Sequence, residues 1–256
     1  MNKFILLFLS LWLSVAACCS DSLNEYENVH CFDVDKLGNV YLVNGQHIII
    51  WNKGERFRYH TQGNVATGIH TLNGFEILVF FEGIQSFQLF DNRLSPLTPI
   101  TQLNQSEWIN TLIPTLNNEF WMHSRASQML GKLSRNRQII SKINQTHLTN
   151  TQLVEDHGGE LLAFDEQHIY LYNQIGALIK DYKTKEVMAC TKFSKGYLWI
   201  SNQTLHAWDG MSLLPKQFSV SIPNAVSSIQ VWNNQIYILS EGKIIPIDLP
   251  EQIHDK

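Results

Sequence analysis

Turn-forming residues break this chain into paired apolar runs at a nearly constant interval. Taking Gly38, Gly74, Asn118, Gly159, Gly196 and Asn234 as anchors, the steps are 36, 44, 41, 37 and 38 residues. Glycine and asparagine tolerate the positive φ that tight hairpins demand. Each anchor is followed by a run of branched and aromatic residues, such as Glu76-Ile-Leu-Val-Phe-Phe81 and Tyr197-Leu-Trp-Ile200. A second marker, an apolar residue followed by a small polar one, falls at Trp51-Asn52, Phe90-Asp91, Leu133-Ser134, Tyr172-Asn173, Trp208-Asp209 and Ile247-Asp248. Its polar members step by 39, 43, 39, 36 and 39 residues. Two independent markers with one period define a repeat.

Each unit reads as four short strands. In the first these are 30–35, 40–44, 47–51 and 56–59, and in the fifth 187–192, 197–201, 204–208 and 216–220. Four strands per unit of about forty residues is the signature of a propeller blade, whose sheet must cover both faces with neighbours. Turn residues every 8–12 positions and the β-branched runs exclude helical repeats of similar length. The expected fold is therefore all-β, a six-bladed β-propeller of four-stranded antiparallel blades. The last unit has three evident strands, 226–232, 235–240 and 243–248, so residues 23–27 are expected to supply its fourth and close the ring.

The segments Asp33-Val-Asp-Lys-Leu-Gly-Asn-Val-Tyr41 and Phe164-Asp-Glu-Gln-His-Ile-Tyr-Leu-Tyr172 resemble blades of bacterial extracytoplasmic propellers of the NHL, Kelch-like and quinoprotein-like class. The Trp-Asp pair of WD repeats occurs here at Trp208-Asp209 and does not recur with the blades. Lipid-anchored propellers of this class include a scaffold of the outer-membrane protein assembly machinery. The resemblance thus implies a scaffold or binding role, while the tryptophan docking motifs of quinoprotein propellers do not recur here, which argues against a bound quinone.

The first residues suggest where such a protein works. Lys3 precedes an apolar run from Phe4 to Leu13, then small residues, then cysteine. That order describes a secretory signal, and the run is shorter than the roughly 20 apolar residues of a spanning helix. Val15-Ala16-Ala17-Cys18 resembles the bacterial lipobox, which implies cleavage after residue 17 and acylation of Cys18. Acyl chains contribute about 0.8 kcal/mol per buried CH₂, enough to hold a protein on a membrane. The expected organisation is a lipoprotein signal peptide at 1–17, a lipidated tether at 18–22, one propeller domain at 23–249 and a polar tail at 250–256. The expected location is extracytoplasmic, on a bacterial membrane facing the periplasm, with the outer membrane favoured. Membrane lipid is one partner, through palmitate or a similar acyl group on Cys18, and an envelope protein is the other.

Charge and chemistry narrow the function further. The chain carries a net charge of −4 with 16% charged and 11% aromatic residues. It has no basic run, which argues against nucleic acid as a partner. Cys31 and Cys190 could pair in an oxidising compartment, but two buried thiols on inner strands is the favoured reading. Catalytic motifs are absent from the sequence, and no cofactor and no metal are called for. Asp33 and Asp35 read as turn-capping residues rather than cation ligands, and Asp156-His157-Gly158-Gly159 as a hairpin turn rather than a metal site.

Loops on one rim of a propeller are the better place to seek function. The connections between second and third strands supply Gln46, Glu82, Arg125, Gln128, His168, Asn202 and Glu241 as candidate rim binding residues. Trp108, in a connection between blades, is a candidate interface anchor. The sequence supports a membrane-anchored scaffold first. Its alternatives are a propeller-type lyase or hydrolase with a channel metal, and a surface protein that binds glycans or peptides.

Overall fold

The structure is a computed structural model that describes residues 26–253, apart from 53–54, 73–74, 104–105, 116, 145–151, 158, 195, 210–211 and 213. The leader, Cys18 and residues 23–25 lie outside the described residues.

Six antiparallel sheets follow one another along the chain. Blade one holds β1 (Val29–Val34), β2 (Val40–Asn44), β3 (His47–Asn52) and β4 (Glu55–His60). Blade two holds β5 (Gly68–Thr71), β6 (Glu76–Phe81), β7 (Ser86–Asp91) and β8 (Thr101–Gln102), and blade three β9 (Thr111–Pro114), β10 (Phe120–Ser124), β11 (Met129–Leu133) and β12 (Ile139–Asn144). Blade four holds β13 (Gln152–His157), β14 (Glu160–Phe164), β15 (His168–Tyr172) and β16 (Leu178–Lys183). Blade five holds β17 (Val187–Phe193), β18 (Gly196–Ser201), β19 (Thr204–Trp208) and β20 (Lys216–Phe218). Blade six holds β21 (Val226–Trp232), β22 (Gln235–Ser240) and β23 (Lys243–Asp248). The first strands β1, β5, β9, β13, β17 and β21 touch one another in cyclic order, β21 returning to β1. This is a six-bladed β-propeller. Five blades have four strands, and the sixth has three among the described residues.

Period-two alternation explains why the blades stack. Along β2, Tyr41 and Val43 join Ile69, Ile77, Val79 and Phe81 of blade two. The alternate residues Val40 and Leu42 turn to Tyr237, Leu239 and Ile244 of blade six. Blade two repeats the pattern, with Leu78 and Phe80 packed on Leu112, Phe120 and Met122 of blade three. Six such clusters occupy the six interfaces, including the seam between the last blade and the first. Strands buried on both faces read as unbroken apolar runs, which is why β6 is Glu-Ile-Leu-Val-Phe-Phe.

The turns on one rim share a hydrogen-bonded design. Asp35 Oδ1 accepts from Leu37 N at 2.8 Å and Asn39 N at 2.9 Å, with Gly38 at φ 84°. Asp91 accepts from Arg93 N and Ser95 N with Leu94 at φ 62°, and Asn173 from Ile175 N and Ala177 N with Gly176 at φ 83°. Thr115 accepts from Asn117 N and Glu119 N, with Asn118 at φ 59°. A short oxygen side chain two and four residues before the amides it caps satisfies donors that a bare turn would leave to water. Gly38 has a second constraint, since a Cβ there would lie 2.2 Å from the Trp232 ring of blade six. Asp33 has a different task from Asp35. It is buried, and its Oδ2 accepts from Thr71 N at 2.6 Å and Thr71 Oγ1 at 3.0 Å, tying β1 to β5.

Of the expected ring-closing segment 23–27, Tyr26 and Glu27 are described and lie outside any strand. They meet blade six by another route. Glu27 forms an ion pair with Lys243 at 3.1 Å, and Val29 N donates to Gly242 O at 3.0 Å. At the other end, Ile253 packs with Leu249 against Ile236 and Ile238, so the segment after 249 contributes an apolar residue to the core.

Two outcomes follow from this packing. Phe80→Ala, which empties part of the interface between blades two and three, should lower the unfolding free energy by about 3–5 kcal/mol in urea titration. Ile175→Ala, at a residue 75% exposed, should change it by less than about 0.5 kcal/mol. His206 stacks on Trp199 with ring centroids 5.1 Å apart, and its burial lowers its pKa from 6.5. The unfolded chain therefore takes up that proton more readily than the folded one. The stability His206 contributes is complete above about pH 6.5 and is lost as pH falls below it. Denaturation between about pH 7.5 and pH 5.5 should show a shallower decline for His206→Gln than for the wild type.

Candidate functional site

The six first strands enclose a cavity of about 310 Å³ along the ring axis. Its mouth opens on the rim that carries the connections between second and third strands, where each first strand begins. The register fixes this geometry: Val29 pairs with Asn44, and Thr111 with His123, so strand starts and hairpin turns share one rim. The capped turns described above occupy the opposite rim.

Glu82 and Arg125 both line the cavity. Glu82 opens a single 3-10 turn, Glu82–Ile84, between β6 and β7. Gln85 follows at φ 48°. Its amide bridges Glu82 O at 2.8 Å and Ile109 O at 2.9 Å, and its Oε1 accepts from Ile109 N at 2.8 Å. That lock fixes the chain leading into β9. There Asn110 Nδ2 donates to Glu82 Oε1 at 2.7 Å, and Asn110 Oδ1 accepts from Arg125 N at 2.8 Å. Trp108 Nε1 also donates to Glu82 Oε1, at 3.2 Å, while the residue is 49% exposed. One asparagine thus holds an acid from blade two and a base-bearing turn from blade three at one edge of the mouth. The Glu82 Oε2 oxygen and the Arg125 guanidinium have no protein partner among the described residues.

The other expected rim residues stand outside these side-chain hydrogen bonds. Gln46 is exposed, and its carbonyl oxygen accepts from Thr61 N at 2.9 Å. Gln128 closes the turn after Arg125 at φ 50°. His168 stacks on Tyr170 and stands 3.7 Å from Asp165. Asn202 and Glu241 occupy two-residue hairpin turns at φ 48° and φ 49°. None of these five lines the cavity. The cavity is lined instead by Asn110 and Thr67, each just ahead of a first strand, and by the inner-strand residues Thr111, Gln152, Thr191 and Gln230, none of which is marked out by the sequence.

The two cysteines of the described chain are free, on β1 and β17, and both line the cavity. Burial first, and the charge of Asp33 second, push the Cys31 thiol up to about 12. Burial also raises the Cys190 thiol well above its usual range. At the hairpin between β13 and β14, His157 pairs with Glu160 across a turn in which Gly159 has φ 90°. Gly158 lies outside the described residues. Among the described residues no three His, Cys, Asp or Glu side chains converge as a metal site would require.

No protein-family model and no curated protein matches this sequence. Among solved structures, the chain is similar to virginiamycin B lyase from Staphylococcus aureus in complex with quinupristin, with a TM-score of 0.64 and 13% identity over 90% of this chain and 86% of that one. It is similar to a chain of the mitotic checkpoint complex, with a TM-score of 0.61 and 12% identity over 89% of this chain and 78% of the other. It is also similar to BBS1N in complex with ARL6DN, with a TM-score of 0.61 and 13% identity over 88% and 79% of the two chains.

Thiolate is the nucleophile in alkylation, so iodoacetamide at about pH 8 should leave Cys31 and Cys190 unmodified in the native protein. Both should react once urea unfolds it, as read by peptide mass spectrometry. Identity at this level and superposition over about nine tenths of this chain together establish a propeller fold shared by lyases and by components of protein complexes.

Proposed function

We propose that this protein is a membrane-anchored, non-catalytic binding module that scaffolds another envelope protein through the mouth rim. The observation that carries this reading is the half-exposed Trp108, fixed by its hydrogen bond to Glu82 beside the open Arg125 side chain. An aromatic ring held rigid, with charged groups at its edge, is the usual make-up of an interface anchor. Val65 and Ile84, 53% and 38% exposed, extend the apolar surface on the same rim. The neighbours in the mitotic checkpoint complex and with ARL6DN place the same fold in protein assemblies.

The proposed anchor fits this surface. Tyr26 to Asn28 enter the ring on the mouth rim, beside Gly242 and Lys243. From an acylated Cys18, eight residues would span at most about 26–29 Å. The mouth would then stay close to the membrane, within reach of a partner embedded in it or lying on it. A lyase or hydrolase with a channel metal would need donors from at least three blades.

Photocrosslinking in intact cells, followed by mass spectrometry, tests the reading. A crosslinker placed at Ile84 should capture one reproducible envelope protein, and Trp108→Ala should reduce that capture by tenfold or more, the loss of about 1.4 kcal/mol. Repeated capture of no partner would count against a scaffold. Cys18→Ser should release the protein from the membrane fraction, and retention there would refute the lipid anchor.

A further inference from the structure

We propose that the cavity behind the mouth is a small-ligand site for a zwitterion, an amino acid or short peptide bearing a free ammonium and a free carboxylate. This inference rests on the reading of the mouth as a binding surface and adds the chemistry of its occupant.

Two opposite charges line one cavity. Asn110 spends its amide nitrogen on Glu82 and its amide oxygen on the Arg125 backbone, so it links the carboxylate to the turn that carries the guanidinium. Glu82 Oε1 already accepts from Trp108 and Asn110, which fixes the carboxylate and leaves Oε2 open. A carboxylate positioned in advance costs a ligand little reorganisation. A singly charged ligand would cover both groups while pairing only one, and an unpaired covered charge is expensive. A ligand with both charges satisfies both.

The remaining wall agrees with that occupant. Thr111, Gln152, Thr191 and Gln230 bring neutral hydroxyl and amide groups. Thr191 Oγ1 donates to Gln230 Oε1 at 3.0 Å, which leaves the Gln230 amide nitrogen as a donor. Leu153 and Ile229 add apolar surface for a side chain. The volume of about 310 Å³ stands at the lower limit of ligand pockets, about 300–1,000 Å³. It suits an amino acid or dipeptide and is too small for an extended oligosaccharide.

Calorimetric titration of the full-length protein in detergent tests this with glycyl-leucine, leucine, N-acetyl-glycyl-leucine and glycyl-leucinamide. Saturable binding of glycyl-leucine or leucine is expected, and whichever binds more tightly identifies the source of the ligand. Acetylating the amine or amidating the carboxylate should each weaken glycyl-leucine by about tenfold or more. Arg125→Gln should abolish the difference between glycyl-leucine and its amide. Glu82→Gln, which keeps an acceptor for Trp108 and Asn110, should abolish the difference made by the acetyl group. Absence of binding by both zwitterions at millimolar concentration overturns the proposal, as does binding indifferent to the caps or to the two variants. If the titration fails while Trp108-dependent crosslinking persists, the zwitterion site falls and the scaffold reading stands.

Discussion

Burial of both faces of every middle strand is the constraint on which the molecule depends. A strand such as β6 presents apolar side chains to two different neighbours, so its sheet is unstable until both are in place. No blade is an end unit. The seam between blades six and one carries the same kind of cluster as the other interfaces, with Phe32, Leu42 and Ile49 against Tyr237, Leu239 and Ile244. Polar ties reinforce the stacking where the first strands meet the axis. Asp33 binds Thr71 between blades one and two, and Thr191 binds Gln230 between blades five and six.

The two rims are built differently. One is built from local turns whose donors are met within four residues, so each blade closes by itself. On the other, Gln85 and Glu82 of blade two bond to Ile109 and Asn110 at the entry to blade three, and Asn110 bonds on to Arg125 N within that blade. A side chain held from two blades moves only if the blades move, which makes the mouth a rigid platform. Likeness to a lyase and to parts of protein complexes is what such a scaffold allows, since chemistry resides in the rim and the fold carries many kinds of it.

The blades were legible in the sequence because their punctuation has a physical cause. Five of the six anchors are described, and all five have positive φ. The small polar residues after third strands, Asp91 and Asn173 among them, are the acceptors that close the turns. Expected strands at 40–44, 204–208, 226–232, 235–240 and 243–248 match the observed bounds. The site was legible only in part. Glu82 and Arg125 could be found because they sit on hairpin connections, which sequence places on one rim. Asn110 could not, because it precedes a first strand in a chain rich in asparagine, and its role exists only once blades two and three are side by side. The lining of the axis was equally hidden. In a strand buried on both faces, hydropathy does not distinguish an edge that meets the cavity from one that meets a neighbour.

The outer wall bears on how any partner must approach. Outermost strands present free backbone groups, an invitation for another chain to add a strand. Here that invitation is withdrawn: β16 carries Lys180 and Lys183 with a largely exposed pattern, and β23 begins with Lys243 and contains Pro246, which has no N–H to offer. Lysine and proline on an edge deter intermolecular sheet growth. A second copy meeting either of these two flanks would find charge or a missing donor instead of a strand to extend.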